Sequence, residues 1–166
     1  HAQVSFEIAS KLLGKAVGPG PLDVRGMRLA QSPRDLLTTT LLDGCANESL
    51  AAAEAIEGAH RCENTAMARL LTKIGEDETR HAALAWKTVR WRVQRWPELQ
   101  PIAVQTLRDA TDHPPSGGDH SASHDVGLLS AAERAALAKE TMRRVVLPVG
   151  LSLLGETASD ERQAIA

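Results

Sequence analysis

Apolar positions recur at helical spacing along most of the chain, and no segment shows the strict alternation of a half-buried strand. Residues 2–13 place Val4, Ile8, Leu12 and Leu13 on one side of a predicted helix, with Gly14 as its C-cap. Gly18-Pro19-Gly20-Pro21 then breaks regular structure. Ser32-Pro33-Arg34-Asp35 combines a serine cap, a proline at the first position and an acid facing the helix dipole, so a long helix is expected from there to about Gly58. Asn64 caps a second long helix that continues to about Trp96 and stops at Pro97. A helix of roughly 30 residues is about 45 Å long, a length that suits a bundle. A shorter helix is expected from Glu98 to Arg108. The fold class predicted from this pattern is all-α: a bundle of antiparallel long helices over residues 1–111. Residues 112–127 are rich in Ser, Gly, Pro, Asp and His, bury little surface and read as a flexible linker. Ser130-Ala131-Ala132-Glu133 is a capping box. It opens a last helix, expected to end before Pro148, within a C-terminal element of residues 128–154 that packs on the bundle. Residues 155–166 read as a loose tail.

Two helix faces are interrupted by charge. In the second long helix the apolar stripe runs Met67, Leu70, Leu71 and Ile74, then meets Glu78 and His81 before Ala85. A carboxylate and an imidazole three residues apart share one face, here at positions where core leucines are expected. In the first long helix the face Leu41, Gly44, Cys45, Glu48, Ala51, Ala52 and Ala55 is interrupted by Glu48 among small residues that let helices approach closely. With a connection over residues 59–64 the two helices run antiparallel, and Glu48 and Glu78 fall within roughly one turn of the same depth. A buried carboxylate is costly unless it is paired or bound to a metal. Two carboxylates and an imidazole at one level of a bundle suit a hard or borderline divalent ion such as iron or manganese.

These residues resemble half of a ferritin-like di-iron carboxylate protein, a family that takes one Glu from each of two helices and Glu-x-x-His from each of the other two. By that resemblance Glu48 matches a lone Glu, Glu78 and His81 match a Glu-x-x-His, and His1 stands where the histidine of the other Glu-x-x-His would be. Gly44-Cys45-Ala46-Asn47-Glu48, the Gly18–Pro21 loop and Val145-Val146-Leu147-Pro148 extend the likeness over residues 1 to about 154, to bacterial ferritin-like domain proteins. The resemblance implies two Fe, or Fe/Mn, ions and a redox or ferroxidase-like role. It also places the first family helix and the first Glu-x-x-His carboxylate outside this sequence. An upstream segment or a second subunit in a homo-oligomer is then expected to complete the site. The alternative is a non-catalytic helical interaction or assembly module with a degenerate site.

Composition narrows the rest. Charges balance at 19 basic and 21 acidic residues, which gives no electrostatic reason to expect nucleic acid or an anionic membrane as partner. No apolar run approaches the roughly 18 residues of a membrane span. Aromatics are 2% of the chain, so the core rests on Leu, Ala, Val and Ile. Cys45 and Cys62 form no metal motif, and a reducing, cytoplasmic setting is the default. Cys45 is expected as a small packing residue, Trp86, Trp91 and Trp96 as packing and interface anchors, and Arg90, Arg92 and Arg95 as a solvated basic face. His113, His120 and His124 read as solvated loop histidines. No serine or cysteine sits with a base in a hydrolase motif.

Overall fold

Local signals in the chain set the ends of the helices. In a computed structural model, which describes residues 1–26, 30, 32–114 and 121–156, helix α1 spans Ala2–Leu13 and closes on Gly14 at φ 62°. Helix α2, Pro33–Thr39, opens with the Ser32 hydroxyl accepting the Asp35 amide at 3.0 Å. It runs without a break through a π-helical segment, Thr40–Asn47, into α3, Glu48–Arg61. The Asn64 side chain accepts the Ala66 and Met67 amides and starts the 31-residue helix α4, Thr65–Arg95. A 3-10 turn, Pro97–Leu99, leads into α5, Gln100–Asp112, so the helix expected over 98–108 runs four residues further. Ser130 and Glu133 make the capping box of α6, Ala131–Thr141. The fold is all-α, with no strand among the described residues beyond one isolated bridge, Ser123 to Leu128. No described helix is long and apolar enough to cross a membrane.

Helices α3 and α4 form the central antiparallel pair. Gly44 lies against Ala85, Gly75 against Ile56, and Gly58 against Leu71, so the partners march in opposite directions along the two helices. Glycine and alanine at these crossings bring the backbones together, as the small-residue face of the first long helix predicts. The main core sits toward the C-terminal half of α4. Leu37, Leu41, Cys45, Trp86, Val89, Leu107, Met142 and Val146 are buried together there. Helix α6 crosses α3 at the other end, where Arg134 pairs with Glu54 at 2.7 Å.

Four expectations are corrected. The last helix does not end before Pro148: a second π-helical segment, Met142–Val146, passes directly into α7, Leu147–Leu154, with Pro148 in its first turn. Proline mid-helix lacks a donor and clashes with the carbonyl four residues back. The widened turn, in which the Leu147 amide reaches the Met142 carbonyl, relieves that crowding. Secondly, the described end of the expected linker, residues 121–127, is docked. The Glu63 amide donates to the His124 carbonyl at 3.0 Å, and buried Gly127 lies on the Gly58 backbone. Backbone hydrogen bonds and a glycine contact hold it where side chains offer little to bury; residues 115–120, with His120, lie outside the described residues, as do 157–166 of the expected tail. Thirdly, Arg92 is buried. Its guanidinium lies over the Trp96 ring and donates to the Pro33 carbonyl at 3.3 Å, fastening the start of α2 to the end of α4. Finally, α1 contributes no buried residue, and Leu12 and Leu13 are exposed because no described segment covers their face.

Candidate metal centre

Glu48 is the first residue after the π-helical segment. The Cys45 carbonyl accepts both the Glu48 amide and the Ser49 hydroxyl, the latter at 2.6 Å. Single π turns inside α-helices are frequent at functional sites, because the extra residue re-aims the side chains that follow. Here the turn lies where Gly44 meets Ala85 of α4. On α4, Glu78 and His81 project one helical turn apart from the same flank. The buried line of α4 is Gly75, Ala82, Trp86, Val89 and Arg92. Glu78 and His81 therefore flank the core rather than replace leucines inside it, a correction to the sequence-based placement. Helix α3 approaches along the small residues and leaves its neighbours at the edge.

The side chains nevertheless converge. One ligand atom each from Glu48, Glu78 and His81 lies within 4.8 Å of the others. His81 Nδ1 stands 2.8 Å from Glu78 Oε2 and 3.5 Å from Glu48 Oε2. His1 joins at the rim: its Nδ1 is 2.9 Å from Glu78 Oε1, and its Nε2 is 3.2 Å from Asp77 Oδ2. Exposure rises outward, from 14% for the Glu78 side chain through 34% for Glu48 to 56% for His81.

Two carboxyl groups this close cannot both ionise freely. The Glu48 carboxyl is held above its ordinary range, first by its hydrogen bond to Glu78, then by burial and the neighbouring negative charge, with His81 acting the other way. Glu78 is held below its ordinary range by the same Glu48 hydrogen bond, with burial opposing and His81 adding to the effect. Of the two, Glu48 is therefore the readier to hold a proton and Glu78 the readier to ionise.

The donor chemistry fits a borderline divalent cation. Metal–nitrogen and metal–oxygen bonds of about 2.0–2.2 Å put two ligands of one ion at most about 4.4 Å apart, so the observed spread closes with small side-chain adjustments. Thiolate is not on offer: Cys45, one turn from Glu48, is buried, and burial pushes its thiol up to about 12. Cys45 packs in the core as expected.

Of the sequence candidates, Glu48, Glu78 and His81 meet and His1 borders them. Away from this centre, His124 Nε2 lies 3.9 Å from Glu133, and His113 contacts the carbonyl of Asp109. Asp77 escaped the sequence reading. It contacts His1, Lys73 and Arg80 at the rim of the cluster. Its adjacency to Glu78 was the available signal. No family model matches this chain, and no curated protein or solved structure matches it either.

Proposed function

We propose that this chain is a metal-binding protein of the ferritin-like, di-iron carboxylate kind, in which Glu48, Glu78 and His81 hold divalent iron, or iron with manganese, for a redox or ferroxidase-like role. The observation that carries the reading is the convergence of two carboxylates and an imidazole from antiparallel helices, directly after a π turn. Ions bound there supply one-electron chemistry and open coordination positions for an oxidant. The chain's part is to hold and orient. Glu78, the least exposed of the three, anchors the site. Glu48 exchanges its hydrogen bond with Glu78 for the ion, and His81 presents Nδ1 toward both carboxylates. His1 and Asp77 steady Glu78 from the rim.

Metal analysis of the purified protein and anaerobic titration with Fe(II) and Mn(II) test the reading. Stoichiometric binding is expected, weakened at least about a hundredfold by Glu78→Ala, since loss of outer-sphere partners alone costs 10–100-fold. No retained or titratable metal, with the variant changed only in stability, would overturn it in favour of a non-catalytic helical module. The observation on that side is that both Glu78 oxygens already have an imidazole partner, which satisfies a carboxylate without any ion.

A further inference from the structure

Between Glu78 and Glu98 the chain has five cations, Arg80, Lys87, Arg90, Arg92 and Arg95, and no carboxylate. Four of them gather in the last turns of α4, beside Trp91 and Trp96. Arg92 is buried, and the guanidinium groups of Arg92 and Arg95 both lie over the Trp96 ring, 5.6 and 5.5 Å from its centroid. Trp96, held in this way, meets Trp91 edge-on at 5.7 Å. Trp91 is therefore steadied on one side while 55% of it remains exposed. The buried line of α4 here is Trp86, Val89 and Arg92, so the Trp91 indole has no place in the core. Lys87, Arg90 and Arg95 are exposed, and among the described residues no carboxylate pairs with them. Glu98, the next acid along the chain, is exposed and pairs with none of them either. Basic side chains alone would make an ordinary solvated face. An indole standing among them changes that, because tryptophan and arginine carry much of the binding energy at protein interfaces. A ring already held by its neighbours also loses little freedom on docking.

We infer that the C-terminal end of α4 docks an acidic amphipathic helix of a protein partner. Leu84, 65% exposed, lies two turns before Trp91 on the same stripe, so two apolar anchors are spaced as a helix laid alongside requires. Lys87, Arg90 and Arg95 flank the anchors and answer carboxylates on the partner, which supplies the charge that this end of the chain lacks. A short acidic segment suits the patch better than an extended phosphate chain or an anionic bilayer. Glu76, Asp77 and Glu78 lie about 20 Å back along the same helix and would repel a long or flat polyanion. The assignment is independent of the metal-binding reading.

The test is a fluorescence-anisotropy titration of the full chain with a labelled helical peptide about four turns long, leucine on one face and glutamate elsewhere. The same peptide with lysine for glutamate, a single-stranded thymidine oligonucleotide and phosphatidylglycerol vesicles are run beside it. Saturable binding of the glutamate peptide alone is expected, weakened at least about tenfold between about 50 and 500 mM salt. Trp91→Ala should weaken it at least about tenfold. Arg90→Glu, at an exposed position with no partner to lose, should weaken it at least about fivefold with circular dichroism and Tm unchanged. No binding at low salt, equal binding of the lysine peptide, or full binding by both variants would overturn the proposal. Tighter binding of the oligonucleotide or the vesicles would overturn the choice of partner, as would self-association of the chain that Trp91→Ala abolishes.

Discussion

At the scale of single residues the centre is governed by the hydrogen bond between Glu48 and Glu78. Glu48 is raised above its ordinary 4.5, so its contribution to stability is complete below that value and is lost as pH rises through the raised one. Glu78 is lowered from the same 4.5, so its contribution is present above that value and is lost as pH falls through the lowered one. The metal-free pair is therefore most favourable near its ordinary range and weakens on both sides. Glu48→Gln keeps a permanent donor toward Glu78. In chelator, the native protein's urea midpoint is expected to decline as pH rises above Glu48's ordinary value and through its raised one, and this part of the decline should be absent in Glu48→Gln. Metal affinity should fall by about ten- to a hundredfold in the same variant, read by titration. The meeting of Glu48, Glu78 and His81 was legible in the sequence because it needs only helical periodicity and a short antiparallel connection. Their exposure was not: which flank of α4 is covered depends on where α3 crosses, and that is set by Gly44, Gly58 and Gly75. Arg92 was misread for a related reason, since its burial is made by the start of α2, 59 residues away in sequence.

At the scale of elements, the approach of α3 to α4 holds the site together, and the crossings differ in tolerance. A methyl at Gly44 would stand 2.7 Å from Ala85 Cβ, an atom fixed to the opposing backbone. Gly44→Ala should cost about 1–3 kcal/mol by chemical denaturation, less any gain in helix propensity, and should separate Glu48 from His81. A methyl at Gly75 meets Ile56 Cγ1, also at 2.7 Å, but that side chain is 40% exposed and has solvent on one side to yield into. Gly75→Ala should stay within about 1 kcal/mol of the native protein, because helix propensity offsets the crowding. Equal effects in the two variants would contradict this account of the pair. The caps at Ser32, Asn64 and Ser130 were legible because each is a side chain answering amides two or three residues on. The passage of the last helix through Pro148 was not, because the wide turn that admits the ring leaves no mark in composition.

At the scale of the whole molecule, the chain returns to the α3–α4 corner through residues 121–128 and clasps it. Gly127 has φ +73° and lies against both Gly58 and Leu71. Gly127→Ala meets a left-handed backbone and a close contact together. It should cost at least about 1–3 kcal/mol and expose residues 121–128 to limited proteolysis ahead of global unfolding. Arg61 and Glu133 pair across the same corner, linking α3 to the cap of α6. The all-α architecture was legible from periodicity alone. The exposed face of α1 was legible as a face, but periodicity says only that a side is apolar and not what covers it.

The π segment over Thr40–Asn47 amounts to one surplus residue spliced into an otherwise regular rod. Removing a single solvent-facing residue from it, such as Asp43, should restore ordinary winding and leave the turns on either side facing nearly as before, because the wide turn holds the extra residue within one revolution. Leu37 and Leu41 would then stay in the core. A deletion mutant of this kind should keep cooperative melting, whereas deletion of exposed Ala51 from the regular turns of α3 should swing the flanking residues by about 100° and abolish it.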